Sequence, residues 1–234
     1  MAHIIGSVAS DRASRACGRR GRGRLHRRSL AAALVLGLGL TVLACKPQPL
    51  PGSVDVVGDS LTVQATNPYG LGDDAPDDVK VIAGLGWQAP NVQSRLVAEV
   101  VRGRPETLVV ALGTNDSNPH RGGWTSTDTA NFRTLLATPH PDTCIVIVLP
   151  AYGPGIAGLL RIEMQQARAS LRTLAGQRPR TVVADWLPVI QARPELVAPD
   201  GVHLRNLDSG VVDPVAAATR TALYWLGVAN CPPR

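Results

Sequence analysis

Beyond residue 53 the chain alternates short apolar runs with longer stretches whose apolar residues recur every three to four positions. Five runs read as strands: Val54-Asp55-Val56-Val57, Val79-Lys80-Val81-Ile82-Ala83, Thr107-Leu108-Val109-Val110-Ala111-Leu112, Cys144-Ile145-Val146-Ile147-Val148-Leu149 and Thr181-Val182-Val183-Ala184. β-Branched side chains favour extended backbone, and a near-continuous apolar run bounded by turn residues suggests a strand buried on both faces. Helical spacing predicts helices over residues 91–101, with Asn91 as cap, about 127–137, 157–175 and about 214–226. In the third of these, Leu160, Met164, Ala167, Leu171 and Leu174 form one core-packing stripe. Residues 64–78 hold Asn67, Pro68, Gly70, Gly72 and four acids, Asp73, Asp74, Asp77 and Asp78. They read as a solvated loop, because the D-x-D-x-D-G calcium spacing is absent. Strands alternating with helices in this way predict an α/β fold, a parallel sheet between two helical layers. Residues 54–234 are enough for one domain with a proper core, and they show no internal repeat.

Charge sharpens this picture. The 234 residues carry a formal net charge of +6, which invites a nucleic-acid reading. Residues 1–45, however, hold eight arginines against one acid, Asp11, leaving sixteen basic and seventeen acidic residues elsewhere. The body is nearly neutral, so a basic face for phosphate contacts is not supported. The arginine-rich start runs to Arg28 and is followed by an apolar run over 30–43, the arrangement of an export signal. That run is short for a membrane span, which needs ~20 apolar residues, although a retained anchor is the alternative. It ends in Val42-Leu43-Ala44-Cys45, which resembles a bacterial lipobox and implies a lipid on Cys45. A Pro/Gly linker over 46–53 then leads into the domain. The expectation is an exported protein, either lipid-anchored at the cell surface or secreted. In an oxidising compartment the remaining pair, Cys144 and Cys231, suggests one disulfide tying a central strand to the C-terminal tail.

The chemistry gathers at the strand ends. Three runs finish in unusual polar or glycine turns: Gly58-Asp59-Ser60, Gly84-Leu85-Gly86 and Gly113-Thr114-Asn115-Asp116. In a parallel sheet all three open onto the carboxyl edge, where ligands of open α/β sheets bind. Alone, Gly-Asp-Ser reads equally well as a turn and a helix cap. A fourth polar set, Asp200…His203, precedes the last helix. Asp and His three residues apart can share one turn, the carboxylate accepting from one ring nitrogen and leaving the other as base. A serine hydroxyl needs such a base to become a nucleophile. An acyl transition state also needs donors aimed at its oxyanion, and a glycine N–H and the Asn115 amide are suitable.

This set resembles the SGNH (GDSL-type) hydrolases. Gly58-Asp59-Ser60-Leu61 matches the family's first block, Gly113-Thr114-Asn115-Asp116 its third and Asp200-Gly201-Val202-His203 its last, over essentially residues 54–226. The resemblance implies a flavodoxin-like three-layer fold with about five parallel strands. It implies Ser60 as nucleophile, His203 as base and Asp200 as the residue orienting it. The oxyanion hole would comprise the Ser60 N–H, a second-block glycine N–H and the Asn115 side chain. The second block departs from the family pattern, reading Ala83-Gly84-Leu85-Gly86-Trp87. Gly86 is preferred because a helix entry follows it, and Gly84 stays open.

Asp59 and Asp116 are expected to hold their turns by local hydrogen bonds. Trp87 and Trp124 flank the site, either lining an acyl or sugar pocket or packed in the interior. His26, His120 and His140 sit in polar or Pro-rich stretches and read as surface residues. No cofactor is implied, no zinc-like spacing occurs, and the mechanism requires no metal. The G-x-S-x-G elbow of α/β-hydrolases does not occur around Ser60. The function expected is a serine esterase acting on short acyl esters, such as those carried by cell-envelope glycans or lipids within reach of an anchored enzyme. An O-acyltransferase and a catalytically silent binding lipoprotein are the alternatives.

Overall fold

The computed structural model describes residues 52–66 and 79–233, and these form an α/β/α sandwich. The expected signal, Cys45 and the linker as far as residue 51 lie outside the described residues, as do the acids of 67–78. Five strands, β1 (Val54–Gly58), β2 (Val79–Ala83), β3 (Thr107–Ala111), β4 (Cys144–Leu149) and β5 (Thr181–Asp185), make one sheet in the order β2-β1-β3-β4-β5. Every pairing is parallel. This is the strand order of the flavodoxin-like class, as expected.

Burial explains the sequence pattern. The inner strands β1, β3 and β4 are buried at every position, so they read as near-continuous apolar runs, with Asp55 and Thr107 as buried polar exceptions. The edge strands β2 and β5 are half exposed, which lets Lys80 and Asp185 into them. Side chains of the inner strands alternate between two cores. Val57, Leu108, Val110, Ile145 and Ile147 meet α2 (Ala89–Gly103), α3 (Ser126–Ala137) and α4 (Gly158–Gly176). Val54, Val56, Val109, Val146 and Val148 face Tyr224 and Val228 of α6 (Pro214–Ala229). A third cluster joins Leu61 and Ala65 of α1 (Ser60–Thr66) to Ala216 and Ala217 of α6. It also takes in Ile190 of α5 (Leu187–Ala192) and the loop residues Leu196, Val197 and Leu204.

Three boundaries differ from the sequence reading. Residues 64–66, read as the start of a loop, complete α1 instead. Helix α2 starts at Ala89, and Asn91 lies inside its first turn, accepting the Gln88 N–H at 2.9 Å rather than preceding the helix as its cap. Between β5 and Asp200, where no element is predicted, the chain forms α5: the Asp185 carboxylate accepts the Leu187 N–H and Pro188 occupies a first-turn position that tolerates it. Cys144 and Cys231 form a disulfide with Cα atoms 6.0 Å apart, joining the start of β4 to the chain after α6. Among the described residues no helix is long and apolar enough to cross a membrane.

Candidate active site

Ser60 is the first residue of α1, and the turn that delivers it is built by Asp59. The Asp59 N–H donates to the Ala111 carbonyl at 3.3 Å, extending the sheet by one bond, while its carbonyl accepts from Thr62 and Val63. Its carboxylate caps the helix by accepting the Leu61 N–H at 3.0 Å. Asp59 is buried, and that burial pushes its carboxyl up to about 6. Arg220, itself buried beneath the site, is the strongest of the influences acting the other way.

The partner comes from 143 residues further along the chain. His203 Nε2 lies 3.2 Å from the Ser60 hydroxyl, and His203 Nδ1 lies 2.7 Å from Asp200 Oδ2. With the ring proton on Nδ1 and donated to the carboxylate, Nε2 is free to accept the serine proton. Partial burial pushes the Asp200 carboxyl up, but the His203 side chain and the Val202 and His203 N–H groups outweigh it. The net effect holds Asp200 below its ordinary range, ionised beside the imidazole.

Backbone contacts fix this loop. Gly153 donates to the Gly201 carbonyl at 2.7 Å, and Ala198 donates to the His203 carbonyl at 2.9 Å. Gly201 has φ +71, and a Cβ there would meet the Ile156 nitrogen at 2.8 Å, so no other residue fits unstrained. Leu204, immediately after the histidine, is wholly buried in the third cluster, and its N–H donates to Gln64 Oε1 at 3.1 Å.

The other two strand ends are braced together. Asn115 Nδ2 donates to the Trp87 carbonyl at 3.1 Å, and Gln88 Nε2 donates to the Asn115 carbonyl at 3.4 Å. Buried Asp116 accepts the Ala89 N–H at 3.0 Å, and burial raises its carboxyl to about 6. The two second-block glycines play different parts. The Gly84 N–H donates to the Gly58 carbonyl at 3.2 Å, and the Trp87 ring lies where a Gly84 side chain would be. Gly86 has φ +69, and no described residue accepts its N–H.

Ser60, His203 and Asp200 therefore converge, with Asn115 and Gly86 on the neighbouring strand ends. Trp87 is half buried against the first core, with the Arg95 guanidinium 4.9 Å above its ring. Trp124 is not at a pocket wall: its ring packs 5.4 Å from Phe132, and its indole N–H faces Thr129 and Ser170 hydroxyls. The packing alternative describes it. His120 and His140 are exposed, and His26 lies outside the described residues. Gln64 and Arg121, the latter donating to the Gly86 carbonyl at 3.3 Å, escaped the sequence reading. Neither lies in a motif, and only folding brings them to the loops they hold. Gly153 also lines a cavity of about 330 Å³ with Tyr152, Arg161, Ile190 and Gln191, which no member of the Ser60 set enters.

No protein-family model matches the sequence, and no curated protein matches it. Solved structures do. The catalytic domain of the peptidoglycan O-acetyltransferase OatA of Streptococcus pneumoniae aligns over 78% of this chain and 93% of its own, with TM-score 0.58 and 19% identity. Axe2, an acetylxylan esterase of Geobacillus stearothermophilus, aligns over 81% of this chain and 100% of its own, with TM-score 0.57 and 15% identity. A Parabacteroides merdae protein described as a GDSL-like lipase aligns over 79% and 99%, with TM-score 0.58 and 17% identity. At these identities the likeness establishes the fold, that of SGNH esterases and acetyltransferases.

Proposed function

We propose that the protein is a serine esterase that hydrolyses short-chain carboxylic esters through an acyl-enzyme on Ser60. The observation that carries the reading is the hydrogen-bonded series Ser60 Oγ, His203 Nε2, His203 Nδ1, Asp200 Oδ2 at 3.2 and 2.7 Å. His203 takes the hydroxyl proton as Ser60 attacks the ester carbonyl, and Asp200 stabilises the imidazolium that forms. The tetrahedral oxyanion is received by the Ser60 N–H at the start of α1, the Gly86 N–H and the Asn115 amide. His203 then protonates the departing alcohol, and water, activated by the same imidazole, releases the acid. Gly86 is assigned over Gly84 because the Gly84 N–H already serves the Gly58 carbonyl.

The same site can pass its acyl group to a sugar hydroxyl in place of water. This O-acyltransferase reading is favoured by the half-exposed His203 and by the fold shared with OatA. Export belongs to the proposal as well, supported by the arginine-rich and apolar start of the chain and by the disulfide. Anchoring through Cys45 follows from the lipobox resemblance.

The test is hydrolysis of p-nitrophenyl esters from acetate to palmitate by the protein and its Ser60→Ala variant. The expected result is turnover of the shortest esters that falls at least a thousandfold in the variant. Equal rates for the two proteins on every ester would leave the acyltransferase or a silent binding lipoprotein. Added glycan acceptors, with the products followed by mass, separate those two.

A further inference from the structure

Arg121 stands beside the oxyanion turn without an acidic partner. Its Nη1 donates to the Gly86 carbonyl and to Gln88 Oε1, each at 3.3 Å. These two acceptors fix the plane of the guanidinium. The backbone beneath it is fixed too, since the turn Pro119–Arg121 is capped by Asn118, whose carbonyl accepts the Arg121 N–H at 2.9 Å. Nη2 lies beside Gly86, 3.7 Å from a Cβ built on that glycine. Adding the ~2.5 Å from nitrogen to Cβ set by covalent geometry places Nη2 within about 6 Å of the Gly86 nitrogen. Among the described residues no carboxylate pairs with Arg121 or with Arg95, which lies over Trp87 in the same turn. Surface arginines are ordinarily solvated and free to swing. This one is exposed and held in orientation, and no described residue accepts from its second amino group beside the turn that carries Gly86.

We infer that Arg121, oriented by Gln88, is a specificity residue that binds a carboxylate carried by the substrate a few bonds from its ester carbonyl. The inference rests on the esterase reading and names the substrate class within it: esters of anionic rather than neutral alcohols. A guanidinium presents paired donors to a carboxylate. The Arg121 guanidinium, hydrogen-bonded to the turn, matches one negative charge, and the Arg95 guanidinium, stacked on Trp87, adds to the attraction at longer range.

The experiment compares the acetates of 2-nitrophenol and of 3-hydroxy-4-nitrobenzoic acid, which share the acyl group and differ by one carboxylate on the leaving group. After correction for their spontaneous hydrolysis, the protein should favour the anionic ester by about 10–100-fold in kcat/KM, expressed in KM, as befits a hydrogen bond to a charged group. Arg121→Gln should bring that ratio to near one, Arg121→Lys should leave an intermediate ratio, and 0.5 M salt should narrow it. A ratio near one in the unaltered protein would overturn the inference. So would an Arg121→Gln variant that loses kcat on both esters alike with the ratio intact, since Arg121 would then only brace the Gly86 turn. Calorimetric titration of Ser60→Ala with the two esters reads the preference without turnover. A preference without hydrolysis would sink the esterase reading and keep the subsite; hydrolysis without a preference would do the reverse.

Discussion

Ser60 leaves a strand whose five residues are all buried, whereas His203, 3.2 Å away, sits half exposed on a loop that includes exposed Pro199 and Asp200. Ser60 is placed by the sheet itself. Its neighbours are β1, the Asp59 cap and the first turn of α1, all within a few residues. His203 is placed by contacts far apart in the chain: Gly153 on Gly201, Gln64 on Leu204, and Leu204 in the third core cluster. The difference teaches that one half of the site is as stable as the domain, while the other depends on a few backbone hydrogen bonds and one buried leucine. Changes on the two sides should therefore fail in different ways.

The largest effect is expected for His203→Ala. It should lower kcat on short esters by three to six orders of magnitude and leave the melting temperature nearly unchanged, because the ring is half exposed. The Ser60→Ala/His203→Ala double variant should be no slower than either single one, since residues acting as a unit are not additive. Further loss in the double variant would mean that the two act separately.

Next comes the loop that carries the base. Gly201→Ala puts a Cβ 2.8 Å from the Ile156 nitrogen at φ +71, so the loop must shift. An expected fall of roughly 10–100-fold in kcat follows from misplacing the imidazole by about 1 Å. Thermal unfolding should report a loss of only about 1–3 kcal/mol. A variant with full activity would show that the loop adapts more freely than its contacts imply.

The disulfide lies at the opposite end of the sheet and should behave in the reverse manner. It closes a loop with a sequence separation of 87, for which the chain-entropy estimate is about 4–5 kcal/mol. Cys231→Ser should lower stability by several kcal/mol in denaturant titration and leave kcat per folded molecule near that of the parent. A matching loss of kcat would mean that the two edges are coupled.

The smallest effect is a pH dependence. The Asp116 carboxyl is raised by burial from its ordinary 3.8 to about 6. Between those values the folded protein keeps a proton that the unfolded chain has released, so this group favours folding at low pH and loses that contribution as pH rises through 6. The stability of Asp116→Asn relative to the parent should therefore increase between pH 4 and pH 7, by at most about 2–3 kcal/mol. Asp185, Asp200 and Asp213, whose carboxyls are held low, act in the opposite sense but are common to both proteins. Urea titrations of the pair at pH 4.5 and 7.5 check this. A difference that does not move with pH would show that Asp116 is already ionised in the fold without penalty.

The same division runs through what could be read without coordinates. Strands β2 and β4 coincide with their apolar runs, and the α/β class follows from the alternation of periods two and 3.6. Ser60, Asn115, Asp200 and His203 were legible because each lies in a short block whose spacing is itself chemical. Helix α5 was not, because its first turn contains Pro188 and is closed by Asp185 from the preceding strand. Trp124 stood equally for pocket and core until its ring was found against Phe132.

By itself the amino-acid sequence determined the five strands, the four longer helices and the identity of the polar groups at the strand ends, because period, branching and capping act within a few residues. The choice between Gly84 and Gly86 needed the tertiary structure, since it turns on which N–H the Gly58 carbonyl takes. So did the grip of Gln64 on the histidine loop and the place of Arg121 at the oxyanion turn. These contacts join positions 140 and 35 residues apart, and no local propensity encodes which distant loops will meet once a parallel sheet has closed.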